Sequence, residues 1–242
     1  MLSYALAGFL LIMLVSFLRG TKDKYLDLYV SAALPIFISF LILLGPITSW
    51  IRPETIDGQL RAIDLALGLD GFALTRWMLA HCYFFVRPVY FALPLMMACA
   101  WVLERPRTLL RAAVIGAGLA FLIYLIFPAV GPQYAFANFP DASARLMPTI
   151  GSVYPRNCIP SMHFTWAFLL ALNLSDKRWR WIFFVYAGLM ALVTVAGGAH
   201  YAIDVIVAVP FTFAVQRIAD SGIQRIVRSR LYSKITEARE AI

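Results

Sequence analysis

The chain has 242 residues, of which 62% are hydrophobic and 14% charged, and its mean hydropathy is +0.77. That balance excludes an ordinary soluble domain and points to a polytopic membrane protein whose core is the membrane span itself. The net charge of +8 is spread over short loops and the C-terminal segment, which suits membrane orientation and leaves no basic face for nucleic acid. Cys82, Cys99 and Cys158 lack metal-ligand spacing. Cys99 reads as a small apolar residue, and a pairing of Cys158 with Cys82 is left open. Without a repeat or long polar linker, one integral membrane domain over 1–242 is expected, with its core at about 109–219.

Residues 2–18 form an apolar run followed by Arg19, Lys22 and Lys24, which reads as a retained helix with the N-terminus outside. A second span is expected over 30–50. In the following segment, 52–76, Leu60, Ile63, Leu67 and Phe72 recur at helical spacing around Arg61 and Asp64, as in an amphipathic helix lying in the interface. A third span runs from about Trp77 or Phe84 to Val102, with Pro88 and Pro94 as kink points, and ends at the basic stretch 104–111. Residues 109–128 return outward. The connection from Gly131 to Pro160, about thirty residues long, is unusual for a helix bundle and suggests a functional lid or lipid-facing element.

The next apolar run begins at Ser161 and ends at the basic loop 176–180; a sixth span covers about 181–198, and a seventh runs from His200 to about Ala219. A basic tail over 220–242 is expected in the cytoplasm. The expected fold is therefore all-α, a bundle of about six to seven transmembrane helices. Its positive-inside pattern puts two polar islands, 159–163 and 197–204, on one extracytoplasmic side with the long connection.

Those islands carry the chemistry. His200 and Asp204 are four residues apart, so on one helix they share a face, where the carboxylate can fix the imidazole tautomer. Ionisable groups at the lip of a span are expensive to bury and read as functional, although Asp204 also suits a cross-helix hydrogen bond. An activated His200, with His163 to protonate a leaving oxygen, suits phosphoryl transfer without a metal. Ser161, Arg156, Asn157, Gln133 and Arg87 are the candidate donors to phosphate charge. Arg87 suits a snorkelling interfacial role equally well, and Gly197-Gly198 suits either close substrate approach or helix packing.

Pro160-Ser161-Met162-His163 and His200-x3-Asp204 resemble the second and third motifs, PSGH and SRx5Hx3D, of the type 2 phosphatidic acid phosphatase (PAP2) superfamily. The resemblance implies a helical membrane catalytic core with no metal cofactor. It also implies His200 as nucleophile, Asp204 as its orienter, His163 as general acid and Ser161 as a phosphate ligand. Met162 stands where that family has glycine, Thr194 where it has arginine, and Ala80 where a KxxxxxxRP motif ending at Arg87-Pro88 would have lysine. Residues 163–167, His-Phe-Thr-Trp-Ala, and 200–205, His-Tyr-Ala-Ile-Asp-Val, are closer to the inositol phosphorylceramide synthase-like branch, as is the Pro-rich stretch 124–133. The match to that branch adds Tyr201 to the candidate substrate contacts.

The function expected is a membrane lipid phosphatase or phosphotransferase. Its partners would be a membrane lipid and, for a transferase, an alcohol acceptor, at the outer face of a bacterial cytoplasmic membrane. Two alternatives stay open: a noncatalytic headgroup-binding protein or transporter, and a metalloenzyme using His163, His200 and Asp204. Substrate identity and oligomeric state are not legible in the sequence.

Overall fold

The structure is a computed structural model that describes residues 2–19, 47–104, 106–140, 154 and 156–240, with side chains described over 6–15, 47–104, 106, 108–140, 154 and 156–221. Among the described residues every regular element is helical: α1 (Leu2–Arg19), α2 (Asp57–Ala66), α3 (Gly71–His81), α4 (Val86–Phe91), α5 (Leu93–Glu104), α6 (Arg107–Ile126), α7 (Pro132–Ala135), α8 (Met162–Asn173), α9 (Lys177–Ala196) and α10 (Ala202–Glu240). The second span expected over 30–50 lies mostly outside the described residues, which resume with a short helical stretch at 47–51.

Among the described residues three helices are long and apolar enough to cross a membrane: residues Thr108–Ile126 of α6, α9, and the first half of α10 as far as Ser221. A fourth is counted if Tyr83–Phe91 and Leu93–Glu104 make one span, bent by 53°. The bend falls at Ala92, between Pro88 and Pro94, where prolines withhold amide donors and loosen the helical ladder. Trp77 belongs to α3 and precedes this span. Pro210 sits inside α10 without ending it, as membrane helices allow when neighbours satisfy the freed backbone groups.

The apolar run from Ser161 forms only the 12-residue α8. At about 1.5 Å per residue it is roughly 18 Å long, well short of a bilayer core of roughly 30 Å. It is the central element, packed against α5, α6, α9 and α10. Leu169, Leu170 and Ala171 on it are wholly buried with Met190 and Val193 of α9 and Val215 of α10. Lipid-sized side chains such as Val114, Leu122, Trp181, Val185 and Phe213 face outward from the surrounding helices. α1 packs on α5 through Ile12, Ala98 and Trp101.

Polar ties fix the ends. The Glu104 carboxylate accepts the Ser175 amide (2.6 Å), the Ser175 hydroxyl and the Asp176 amide (2.9 Å), and Asp176 N-caps α9 by accepting from the Arg178 amide. This clamp holds the α8–α9 loop and the basic first turn of α9 at the end of the bundle opposite to the two polar islands.

Amphipathic spacing predicts α2, but its faces are disposed otherwise than expected. Ile63 and Leu67 are exposed, whereas the buried positions are Asp57, Leu60 and Asp64. The helix turns two acids and a leucine inward because backbone donors wait there, as described next. All three cysteines are free thiols.

Candidate functional site

Each island owes its shape to a helix end. Ser161 has extended backbone and N-caps α8, its hydroxyl accepting from the Phe164 amide (3.5 Å), so His163 falls in the first helical turn. The Ser161 amide donates to the Asp204 carbonyl (3.2 Å), and the Tyr124 hydroxyl to the Pro160 carbonyl (3.0 Å), tying the start of α8 to α10 and α6.

The second island is the reversal between α9 and α10. Gly198 takes φ +69°, and the Ala199 and His200 amides both return to the Thr194 carbonyl. A side chain at Gly198 would strike the Phe139 ring and come within 2.9 Å of Gln133 Cβ. One at Gly131, φ +92°, would come within 2.6 Å of the Ala199 carbonyl oxygen. The 131–133 segment thus lies directly on the turn that presents His200, and the Gln133 amide donates to the Gly198 carbonyl (3.0 Å).

His200 precedes α10 and is not part of it. The expected same-face helical pair is instead a contact across the helix entry, with His200 Nδ1 3.4 Å from Asp204 Oδ2. That oxygen also accepts the Tyr201 amide (2.8 Å), reaching back from the third helical position as in a capping box. Asp204 Oδ1 and His200 Nδ1 are buried without a hydrogen-bond partner, as is His163 Nε2. The His163 and His200 rings lie 6.2 Å apart. His163 stacks on Tyr90 at 4.2 Å, with its Nδ1 3.3 Å from the Tyr90 hydroxyl.

Three residues that the sequence reading left out build this site. Tyr90, delivered by α4, orients His163. Asp57 accepts the Val130 and Gly131 amides and the Tyr201 hydroxyl (2.8 Å). Asp64 accepts the Ala202 and Ile203 amides, both at 2.8 Å, and so caps α10 from another helix. Burial raises the Asp64 carboxyl above its ordinary range, and those two donors oppose the shift. Periodicity offered one signal, since Asp57 and Asp64 are seven residues apart on a helix that otherwise looks interfacial.

The proposed phosphate ligands are dispersed. Arg156 spends its guanidinium on the Tyr154 and Pro53 carbonyls (2.8 and 3.0 Å), tying the approach to Ser161 to the 47–53 region. Burial lowers its pKa, partly offset by the nearby Asp57 charge. Arg87 is exposed. Asn157 is half-buried and Gln133 buried. Tyr201 is buried; loss of water around its hydroxyl raises its pKa, keeping the proton that it donates to Asp57. Thr194 is buried and its hydroxyl bonds the Ala191 carbonyl.

Among the described residues, Arg61 is a cation that shares a cleft with His200. It lines that cleft together with Asp64, Asp70, Phe72 and Pro132, and its guanidinium lies 3.8 Å from the Phe72 ring centroid and 4.8 Å from that of Phe136. For a metal, the described residues bring together Cys158, His200 and Asp204, one ligand atom of each within 4.8 Å of the others. This set replaces His163 of the metal reading with Cys158.

Two buried histidines from different helix entries, one beside a buried carboxylate, thus meet in an all-helical membrane-type bundle. The family model of the PAP2 superfamily matches residues 60–218, and the chain belongs to that superfamily. Members are phosphatases and phosphotransferases in general. Neither the curated proteins nor the solved structures contain a match.

Proposed function

We propose that the protein is a metal-independent membrane lipid phosphatase or phosphotransferase working through a phosphohistidine on His200. The observation that carries this reading is the meeting of His163 and His200 rings at 6.2 Å with Asp204 at 3.4 Å from His200 Nδ1. In the first step a His200 ring nitrogen attacks phosphorus, and the bond from phosphorus to the leaving oxygen breaks. His163 supplies the proton to that oxygen. A dianionic phosphate arriving beside it favours the imidazolium this requires. Water or an alcohol then attacks the phosphorus, His163 takes up its proton, and the P–N bond breaks to free His200.

Ser161 and the first amides of α8 are the neutral donors to the phosphate, and Arg61 is the cation, replacing the arginine that the third motif lacks at Thr194. The site opens at the end of the bundle opposite to the basic first turn of α9, 177–180, hence on the extracytoplasmic side. The 163–167 and 200–205 sequences support a reading within the inositol phosphorylceramide synthase-like branch, in which an alcohol replaces water as acceptor.

The test is turnover of a panel of lipid phosphates and phospholipids by purified protein, with and without chelator and with candidate alcohols. Wild type is expected to turn over in chelator. His200→Ala is expected to lose activity below detection, and His163→Ala to lose ~10²–10⁴-fold. Turnover that chelator abolishes sinks the mechanism; the absence of turnover on every lipid favours a headgroup-binding protein.

A further inference from the structure

Cys158 is the part of the site for which phosphoryl transfer has no use. It is fully buried, and its thiol donates only a long contact, 3.4 Å, to the Ala199 carbonyl. Its sulfur belongs to the group in which one ligand atom each of Cys158, His200 and Asp204 lies within 4.8 Å of the others. In the same place are two buried atoms without a hydrogen-bond partner, His200 Nδ1 and Asp204 Oδ1, on residues 4% and 0% exposed.

We propose that Cys158, His200 and Asp204 form a zinc-binding site, and that zinc bound there inhibits phosphoryl transfer by occupying His200. Thiolate, imidazole and carboxylate are the ligands zinc takes, and three of them leave its fourth tetrahedral position open to water. The thiolate selects against magnesium, which prefers oxygen ligands and keeps its waters. On binding, the Cys158 S–H proton leaves to solvent as the sulfur–zinc bond forms. The two anionic ligands cancel the charge of the ion, so the filled site buries no net charge. His200 is the ligand that also lines a cleft, shared with Asp64 and Asp70, and an ion would reach the site from that side. A coordinated imidazole has no free lone pair where the metal sits, and Asp204 drawn to the metal no longer orients the ring.

The inhibitory half rests on His200 being the nucleophile; the binding half does not. Full-length, tag-free protein stripped of metal in detergent is titrated with Co2+ and then Zn2+. A thiolate-to-cobalt charge-transfer band is expected in wild type, Cys82→Ser and Cys99→Ser, displaced by Zn2+ and absent in Cys158→Ser. X-ray absorption of zinc-loaded wild type, which needs no variant, is expected to show one sulfur at about 2.3 Å. A zinc shell without sulfur, or a cobalt band undiminished in Cys158→Ser, overturns the site. On a lipid phosphate, each protein being normalised to its own metal-free rate, Zn2+ is expected to inhibit wild type and to act at least about tenfold more weakly on Cys158→Ser, since even an outer-shell change costs that much affinity. Zinc that binds with sulfur but leaves turnover unchanged overturns the inhibition. If stripped wild type turns over nothing, the proposed function fails, while cobalt and X-ray data still decide the metal site.

Discussion

At His200 the imidazole meets Asp204 at 3.4 Å, looser than a full hydrogen bond, because Asp204 Oδ2 already accepts the Tyr201 amide. The carboxylate therefore serves both helix entry and imidazole, and under the proposed mechanism the pair is expected to tighten when the ring gains charge. The cations divide by environment. Arg61 is held over two aromatic rings at the His200 cleft, Arg156 is bound to backbone carbonyls, and Arg87 is exposed. Removing a preorganised phosphate donor costs about 3–4 kcal/mol in comparable sites, equivalent to ~10²–10³-fold. Arg61→Gln is accordingly expected to lower kcat/KM by that factor, and Arg87→Gln by less than about threefold, measured on the same lipid phosphate. The reverse order would transfer the phosphate role to Arg87.

At the scale of elements, α2 works as a clamp. Its two buried acids hold two pieces of backbone and a side chain: Asp57 the 130–131 amides and the Tyr201 hydroxyl, Asp64 the first amides of α10. Asp64→Ala leaves two half-buried amides without their cap, a loss of about 1–2 kcal/mol, and lets the His200 turn drift. Thermal melting of the purified variant is expected to fall, together with kcat. Melting unchanged from wild type would show that solvent supplies the cap. The sequence makes this helix legible as amphipathic. It hides the inward acids, because spacing reports which residues share a face and not what that face meets. Likewise α8 is legible as apolar, yet its shortness follows from Asn173 and the Glu104-held loop that ends it.

For the whole molecule, α8 and α9 set the polarity. Their ends at 161–163 and 197–200 carry the histidines, and their other ends join through the 174–176 loop beside the basic first turn of α9. Because Asn138 lies beside Phe139, which packs on Gly198, it belongs to the histidine end. In a cysteine-free background, Asn138→Cys in intact cells is expected to react with an impermeant thiol reagent from outside, and Lys177→Cys only after permeabilisation. Labelling with the opposite sidedness would turn the site toward the cytoplasm.

The sequence by itself determined the solvent, since 62% hydrophobic residues can bury themselves only in a membrane. It also determined the local chemistry, because His163, His200 and Asp204 lie within short contiguous motifs whose spacing survives in any helical fold. Tertiary structure alone decided which distant groups join them. Tyr90 behind His163, Asp57 and Asp64 beneath the His200 turn, Arg61 at the cleft and Cys158 beside His200 and Asp204 come from separate segments. Their meeting depends on how α2, α4 and α8 pack and on backbone donors that must be satisfied once buried, and neither is encoded at a fixed sequence separation.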